Sequence, residues 1–449
     1  MSKDILDLAG IGIGPFNLSV AALLDQHPHT RAAFFDQKPA FDWHPGMQLP
    51  GARLQTSFLK DLVTGADPCN PHSFLNYLVQ QGRLYPFLSA GMPAISRREF
   101  AHYLGWVANQ LPDLHFGQAV ESVRFEDGLF RLEFRQERPP VFSRNLCIGT
   151  GIRPHLPPAC ESVSGDSRLH CIHLMDQPRD FSGQDVAIIG GGQSGAEVLL
   201  GLMDGLWGEP ASIRWLSRRP NFEPLDETPF TNLYFTPGYV STFHGLPEQR
   251  RRELVRYQKL ASDGISPDTL KALYQRLYEY PLEHPGRPVP ELLPGRTLYA
   301  VTDGTPMTLL TRNRLDDQFE EHQADQLLLC TGFEHGLPPC LEPLERNLKR
   351  DSRGQPCIGK AFNLDWDGPD NRAIYTVNQG RLSHGIADSQ LSLMSWRSAV
   401  IVNHLLGEPH YPVREQAMPL HWRSQKSGAK RDRAGGPRGV TENHSVLKD

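Results

Sequence analysis

The feature that most constrains this chain is a strand that ends in closely spaced glycines and passes at once into a helix, because the sequence contains it twice. Ile5 to Ile11 is a strand-like apolar run that reaches Gly12-Ile13-Gly14-Pro15-Phe16-Asn17 and continues as Leu18-Ser19-Val20-Ala21-Ala22-Leu23-Leu24 with a helical rhythm. Asp185 to Ile189 repeats the pattern, leading through Gly190-Gly191-Gly192-Gln193-Ser194-Gly195 into Ala196-Glu197-Val198-Leu199-Leu200. The expected class is α/β, with two Rossmann-like dinucleotide-binding domains. At 449 residues the chain is long enough for two or three packed cores.

Such turns bind a pyrophosphate because backbone N–H groups at a helix N-terminus face it, and a Cβ would block the approach. Gly190, Gly192 and Gly195 complete the G-x-G-x-x-G spacing, whereas at Gly12 and Gly14 the third glycine is replaced by Asn17. The end of the next strand distinguishes the two ligands. The run Arg31 to Phe35 ends on Asp36, 22 residues beyond Gly14, where an acid accepts ribose hydroxyls and would repel a 2′-phosphate. That suits FAD. Ser212 to Ser217 ends instead in Arg218-Arg219, 23 and 24 residues past Gly195, where guanidinium groups would hold the 2′-phosphate of NADPH.

Composition removes other classes. A net charge of −5 and a pI near 6.4 give no basic field for nucleic acid. No apolar run is long enough to span a bilayer and no signal-peptide pattern opens the chain, so a cytoplasmic location is expected, with a small molecule as partner. The seven cysteines include no CxxC pair, which argues against a metal site, a disulfide framework and a disulfide reductase.

Strand-like runs at 145–151 and 326–333 each end at a glycine turn and are expected to carry the chain between domains. The expected division is an FAD-binding domain over 1–165, resumed at 336–423, and an NADPH-binding domain over 166–220 and 295–335. A smaller, mostly helical substrate-covering region takes 221–294, closed by a proline-rich stretch from Pro281 to Pro294. A buried helix is expected over Ile386–Leu406, and a disordered polar tail over 424–449.

Taken together, Gly12-Ile13-Gly14-Pro15-Phe16-Asn17-Leu18, Trp43-His44-Pro45-Gly46-Met47, Gln55-Thr56-Ser57-Phe58-Leu59-Lys60-Asp61-Leu62, Gly190-Gly191-Gly192-Gln193-Ser194-Gly195 and Leu329-Cys330-Thr331-Gly332-Phe333 resemble the microbial N-hydroxylating flavin monooxygenases, the lysine 6-monooxygenase/ornithine 5-monooxygenase family. Ser96-Arg97-Arg98-Glu99-Phe100, Tyr234-Phe235-Thr236-Pro237 and the stretch from Gln390 to Ala399 are most similar to its lysine-hydroxylating branch. The resemblance implies side-chain N-hydroxylation of L-lysine through a C4a-hydroperoxyflavin at the start of hydroxamate siderophore synthesis, with FAD, NADPH and O₂. L-Ornithine or a diamine such as cadaverine or putrescine is the alternative substrate. It further implies that Lys60 grips the substrate α-carboxylate with help from Asn232, and that Trp43, His44, Met47 and Gln55 line the flavin. Gln193 would sit between flavin and nicotinamide, and Leu391 and Ser392 would touch substrate or flavin. The segment His384 to Asp388 is expected to open the last helix and present its positive end to the flavin. No residue is assigned as acid or base. Relatives are often tetramers, so a homo-oligomer is expected. The chain departs from the family pattern at Leu233, which replaces an acid, and at Cys330, where alanine is frequent.

Overall fold

Alternation along the first strand sets up the first core. Leu8 and Gly10 of strand Ile5–Ile11 face one side while Ala9 and Ile11 face the other, as the pleat requires. Gly10 has no side chain because the ring of Phe34, from the neighbouring strand, occupies the space its Cβ would fill. The computed structural model describes residues 5–92, 94–177, 179–414 and 419–424. The strand order of the first sheet is 114–115, 32–35, 5–11, 141–148, 129–134, 120–126, with Ile374–Thr376 also parallel to Val141–Ile148. The first four strands are parallel and the last two turn back antiparallel. Helices Pro15–Leu24, Arg97–Ala108 and Met394–Leu406 cover one face; the segment Pro339–Asn347 covers the other.

The second sheet is wholly parallel, ordered 291–294, 212–217, 185–189, 326–329, 168–170. Val186 and Ile188 point to helices Gln193–Met203 and Pro267–Glu283; Ala187 and Ile189 point to a three-stranded antiparallel meander over 296–324. The strand ends Arg153–Pro154 and Phe333–Glu334 pair antiparallel, so the two crossings between the sheets run side by side.

Four differences from the sequence reading have physical causes. The stretch 295–335 contains that separate meander as well as the last strand of the parallel sheet. Pro281 lies inside helix Pro267–Glu283, and Glu291–Pro294 is a strand rather than a loop, at the sheet edge where proline is tolerated. The last helix begins at Met394, not Ile386. Upstream, Arg381–His384 is a single turn that Gly385 ends at φ +84°, and Asp388 is held by the fully buried Arg397 at 2.8 Å. Residues 5–414 belong to one compact unit; residues 419–424, irregular, belong to a second, and the expected tail beyond Ser424 lies outside the described residues.

Candidate functional site

Both glycine turns have the shape a dinucleotide needs. Gly12 and Gly190 adopt φ +87° and +124° at the strand ends, and a Cβ on either would collide with a carbonyl, that of Gly149 or Cys330. The middle glycines differ from these. Gly14 and Gly192 cap helices Pro15–Leu24 and Gln193–Met203 in extended conformation; a Cβ on Gly192 would meet nothing within 4 Å, and one on Gly14 only the Gly149 oxygen at 3.8 Å. Space is therefore kept open in front of each helix N-terminus, where a pyrophosphate fits against unpaired N–H groups. Pro15, at the first helical position, has no N–H to leave unpaired, and Phe16 follows it under the Arg397 guanidinium, 4.1 Å from the ring centre.

Two residues expected to touch the first dinucleotide are turned inward. The Asn17 side chain is fully buried; its amide donates to the carbonyls of Gly12 (2.8 Å) and Cys147 (3.2 Å) and accepts from the Cys147 thiol. It braces the turn and does not present its side chain to a ligand. The Asp36 carboxylate accepts from the backbone N–H groups of Ile13 (2.7 Å) and Lys38 (2.9 Å), tying the second strand to the turn, so a ribose would share it with the backbone.

A cavity of about 990 Å³ opens between the two sheets and the helical region. It gathers Gln55, Lys60, Gln193, Asn232 and Ser392, five of the residues singled out from sequence. Trp43, His44, Met47 and Leu391 are not among its lining residues. Trp43 packs edge-to-face on Phe100, Met47 lies in the core of the second sheet, and Leu391 packs against the core of the first. His44 sits at φ 49°, and burial, then Arg97 and Lys38, lower its pKa to about 4, which keeps the imidazole neutral at physiological pH.

Lys60 is half-buried, and desolvation lowers its pKa from the ordinary lysine value; among the described residues its ammonium has no ion-pair partner. Gln193 is the best-connected side chain of the cavity. Its amide nitrogen donates to Glu197 (2.9 Å) and to the Thr269 hydroxyl (3.0 Å), and its oxygen accepts from Ser266 N (2.8 Å) and Gln55 Nε2 (3.5 Å). Thr269 and Ser266 carry no sequence signal beyond the serine cap of a helix, and Glu197 none beyond its place one turn after Gln193.

On the second fold, Ser194 follows Gln193 into the helix, and Gly195 is pressed against Gly190 and the indole of Trp215. Arg218 is exposed. Arg219 is half-buried and donates to the carbonyl of Asp263 at 2.8 Å, which leaves Arg218 the freer of the two for a phosphate. Lys259 and Arg381 add positive charge nearby, since both arginines and Arg381 act on the Lys259 ammonium. Among the described residues, no helix is long and apolar enough to cross a membrane and no cluster of ligating side chains could hold a metal ion.

Two dinucleotide folds facing one cavity define a flavoprotein oxidoreductase that draws hydride from a second, nicotinamide dinucleotide. Residues 4–335 match the L-lysine 6-monooxygenase/L-ornithine 5-monooxygenase family. The chain is 39% identical to an L-lysine N6-monooxygenase of Escherichia coli, over 94% of this chain and 99% of that protein. It is 32% identical to a putrescine N-hydroxylase of Acinetobacter baumannii, over 92% and 93%. Among solved structures, the FAD-bound cadaverine monooxygenase of the Erwinia amylovora desferrioxamine pathway superposes with a TM-score of 0.88 at 28% identity, covering 94% of this chain and 100% of that one. A Kutzneria ornithine N-hydroxylase, solved with reduced FAD, NADP⁺ and L-ornithine, gives 0.83 at 26% identity over 90% and 99%. The chain belongs to the L-lysine 6-monooxygenase/L-ornithine 5-monooxygenase family, and is an NADPH-dependent flavin N-monooxygenase that uses FAD.

Proposed function

We propose that the enzyme hydroxylates the side-chain amine of L-lysine, as the opening step of a hydroxamate siderophore. L-lysine, NADPH, H⁺ and O₂ give N6-hydroxylysine, NADP⁺ and water. The observation that carries the reading is the Lys60 ammonium, half-buried in the cavity wall and, among the described residues, without a counter-ion. A desolvated cation facing a substrate cavity is stabilised by an anionic substrate group, and an α-carboxylate supplies one. The higher identity to the lysine enzyme than to the putrescine enzyme, 39% against 32%, points the same way.

In this reading Lys60 and Asn232 hold the amino-acid end, while Gln55, Gln193 and Ser392 offer neutral hydrogen-bonding groups further along the cavity. Bound flavin supplies the activation of O₂; the protein's own task is to present a neutral amine. A free lysine amine has a pKa near ~10.4, so its proton must leave on entry, and a desolvating cavity favours the neutral form. Gly12, Gly14, Pro15 and Phe16 hold the FAD pyrophosphate end and Gly190, Gly192, Ser194 and Gly195 that of NADPH, with Arg218 and Arg219 toward the 2′-phosphate. Trp43, His44, Met47 and Leu391 act from behind the lining residues, supporting the segments that carry them.

A diamine is the second reading, because Glu227 and Asp268 also line the cavity and would welcome a second ammonium. Burial, and then repulsion from Asp268, raise the pKa of the Glu227 carboxyl. Product analysis with lysine, ornithine, cadaverine and putrescine under NADPH and O₂ separates the readings. Hydroxylated cadaverine formed faster than hydroxylysine would overturn the first.

A further inference from the structure

The two folds are joined by an ion pair that neither needs for its own sheet. Arg97 opens helix Arg97–Ala108, whose Phe100, Tyr103 and Leu104 pack in the first core, and Glu197 lies on helix Gln193–Met203, whose Ala196, Val198 and Leu199 pack in the second. Their contact is bidentate, Nη1 to Oε2 at 2.9 Å and Nη2 to Oε1 at 3.0 Å, with side chains only 17% and 8% exposed. Two parallel charge-assisted hydrogen bonds fix distance and angle together. The same guanidinium donates to the Met47 carbonyl at 3.3 Å, and the Arg97 backbone N–H donates to Ala52, so the pair also grips both ends of the 47–52 loop. On the other side, Glu197 Oε1 accepts from Gln193 Nε2.

We propose that Arg97 and Glu197 are positioning residues, an inter-fold clamp that fixes Gln193 and the second nucleotide turn against the 47–52 loop and so sets the register in which hydride passes between the dinucleotides. The inference rests on the assignment of FAD to the first turn and NADPH to the second, and is independent of which amine is hydroxylated. A carboxylate that already receives both guanidinium nitrogens leaves one fixed direction for Gln193; without the clamp, Gln193 keeps its close partners Ser266 and Thr269, and only the long 3.5 Å contact from Gln55 ties it to the first fold. The clamp therefore acts on how productively NADPH is held, and not on the grip at Lys60.

The test uses the FAD-loaded full chain. Single variants such as Glu197→Gln strand a largely buried guanidinium and can fail through stability alone, so the deciding variant removes both charges together: Arg97→Met with Glu197→Leu. We expect it to keep its flavin and a melting temperature close to that of wild type, to bind NADP⁺ about tenfold more weakly by calorimetry, and to reduce its flavin under anaerobic NADPH ten- to a hundredfold more slowly. The KM for the amine should stay within about twofold. Hydrogen exchange at the Gln193 end of its helix should quicken. Arg97→Lys, which keeps charge but loses the fork, should fall between the two. NADP⁺ affinity and flavin reduction at wild-type values in the folded double variant would overturn the proposal, as would a loss confined to the amine KM. Product identity, read in the same samples, reports separately on the substrate assignment.

Discussion

Replacing Lys60 by alanine tests the substrate assignment most directly. Lysine and cadaverine differ only in the carboxylate that Lys60 is proposed to meet. At about 4 Å and an effective dielectric near 20, that pair is worth roughly 4 kcal/mol. Lys60 is only half-buried, so solvent screens part of this, and the carboxylate gives up hydration on binding; about 2–3 kcal/mol should remain. That is a fall of roughly 30- to 160-fold in kcat/KM for lysine. Cadaverine brings no carboxylate, and losing Lys60 relieves repulsion of its second ammonium, so its kcat/KM should hold or rise. The assay is hydroxylated product from each substrate, with flavin content and NADP⁺ affinity measured alongside; both should match wild type, because Lys60 belongs to neither glycine turn. An unchanged lysine-to-cadaverine ratio would refute the carboxylate clamp, as would a wild type that already prefers the diamine.

Gly14→Val should give folded protein without flavin, since the space in front of Gly14 is open apart from the Gly149 oxygen and the branched side chain would fill the pyrophosphate's place; a fully yellow variant would put the flavin elsewhere. Arg218→Ala should weaken NADPH by about tenfold, the low end of about 1.5–3 kcal/mol for a charge-assisted contact because Arg218 is exposed, and leave NADH untouched. Equal weakening of the two in steady-state KM would remove Arg218 from the phosphate. His44 has a depressed folded pKa, so the unfolded chain binds the extra proton first: stability is intact above about 6.5 and falls as pH drops toward about 4, by up to about 3 kcal/mol. His44→Asn, which tolerates the positive φ, should flatten melting temperature against pH across that window; an unchanged slope would assign the loss to other groups.

The strands around the turns were legible because apolar runs ended at glycine or at a charged residue: Ile5–Ile11, Asp185–Ile189 and Ser212–Ser217 have the bounds read from sequence. The meander was not. Strand Met307–Asn313 buries Met307, Leu309, Thr311 and Asn313, and two polar residues among four inward positions erase the alternation that marks a half-buried strand. The edge strand Glu291–Pro294 was hidden by the prolines around it. Of the cavity, Gln55, Lys60, Gln193, Asn232 and Ser392 were found through family motifs, whereas the Arg97–Glu197 contact joins residues 100 apart and no local pattern encodes such a separation.

The incomplete first motif shows how one position's requirement can move to another part of the fold. In the second turn the helix must come close to the strand, and Gly195 provides for this by having no side chain where Gly190 and the Trp215 indole press in. In the first turn Asn17 occupies the corresponding place and the helix still starts correctly, its amide tying the turn to the neighbouring strand through the carbonyls of Gly12 and Cys147. The missing space is supplied from the opposite side. Gly149, at the end of strand Val141–Ile148, lies so close that a Cβ there would stand 2.5 Å from the Asn17 amide carbon. A glycine at the third helix position and an asparagine there facing a glycine on the adjacent strand are thus two solutions to one packing constraint. The second adds hydrogen bonds between the turn and a third strand, which stiffens the floor beneath the pyrophosphate; the cost is that Gly149 becomes as intolerant of a side chain as any glycine of the motif itself.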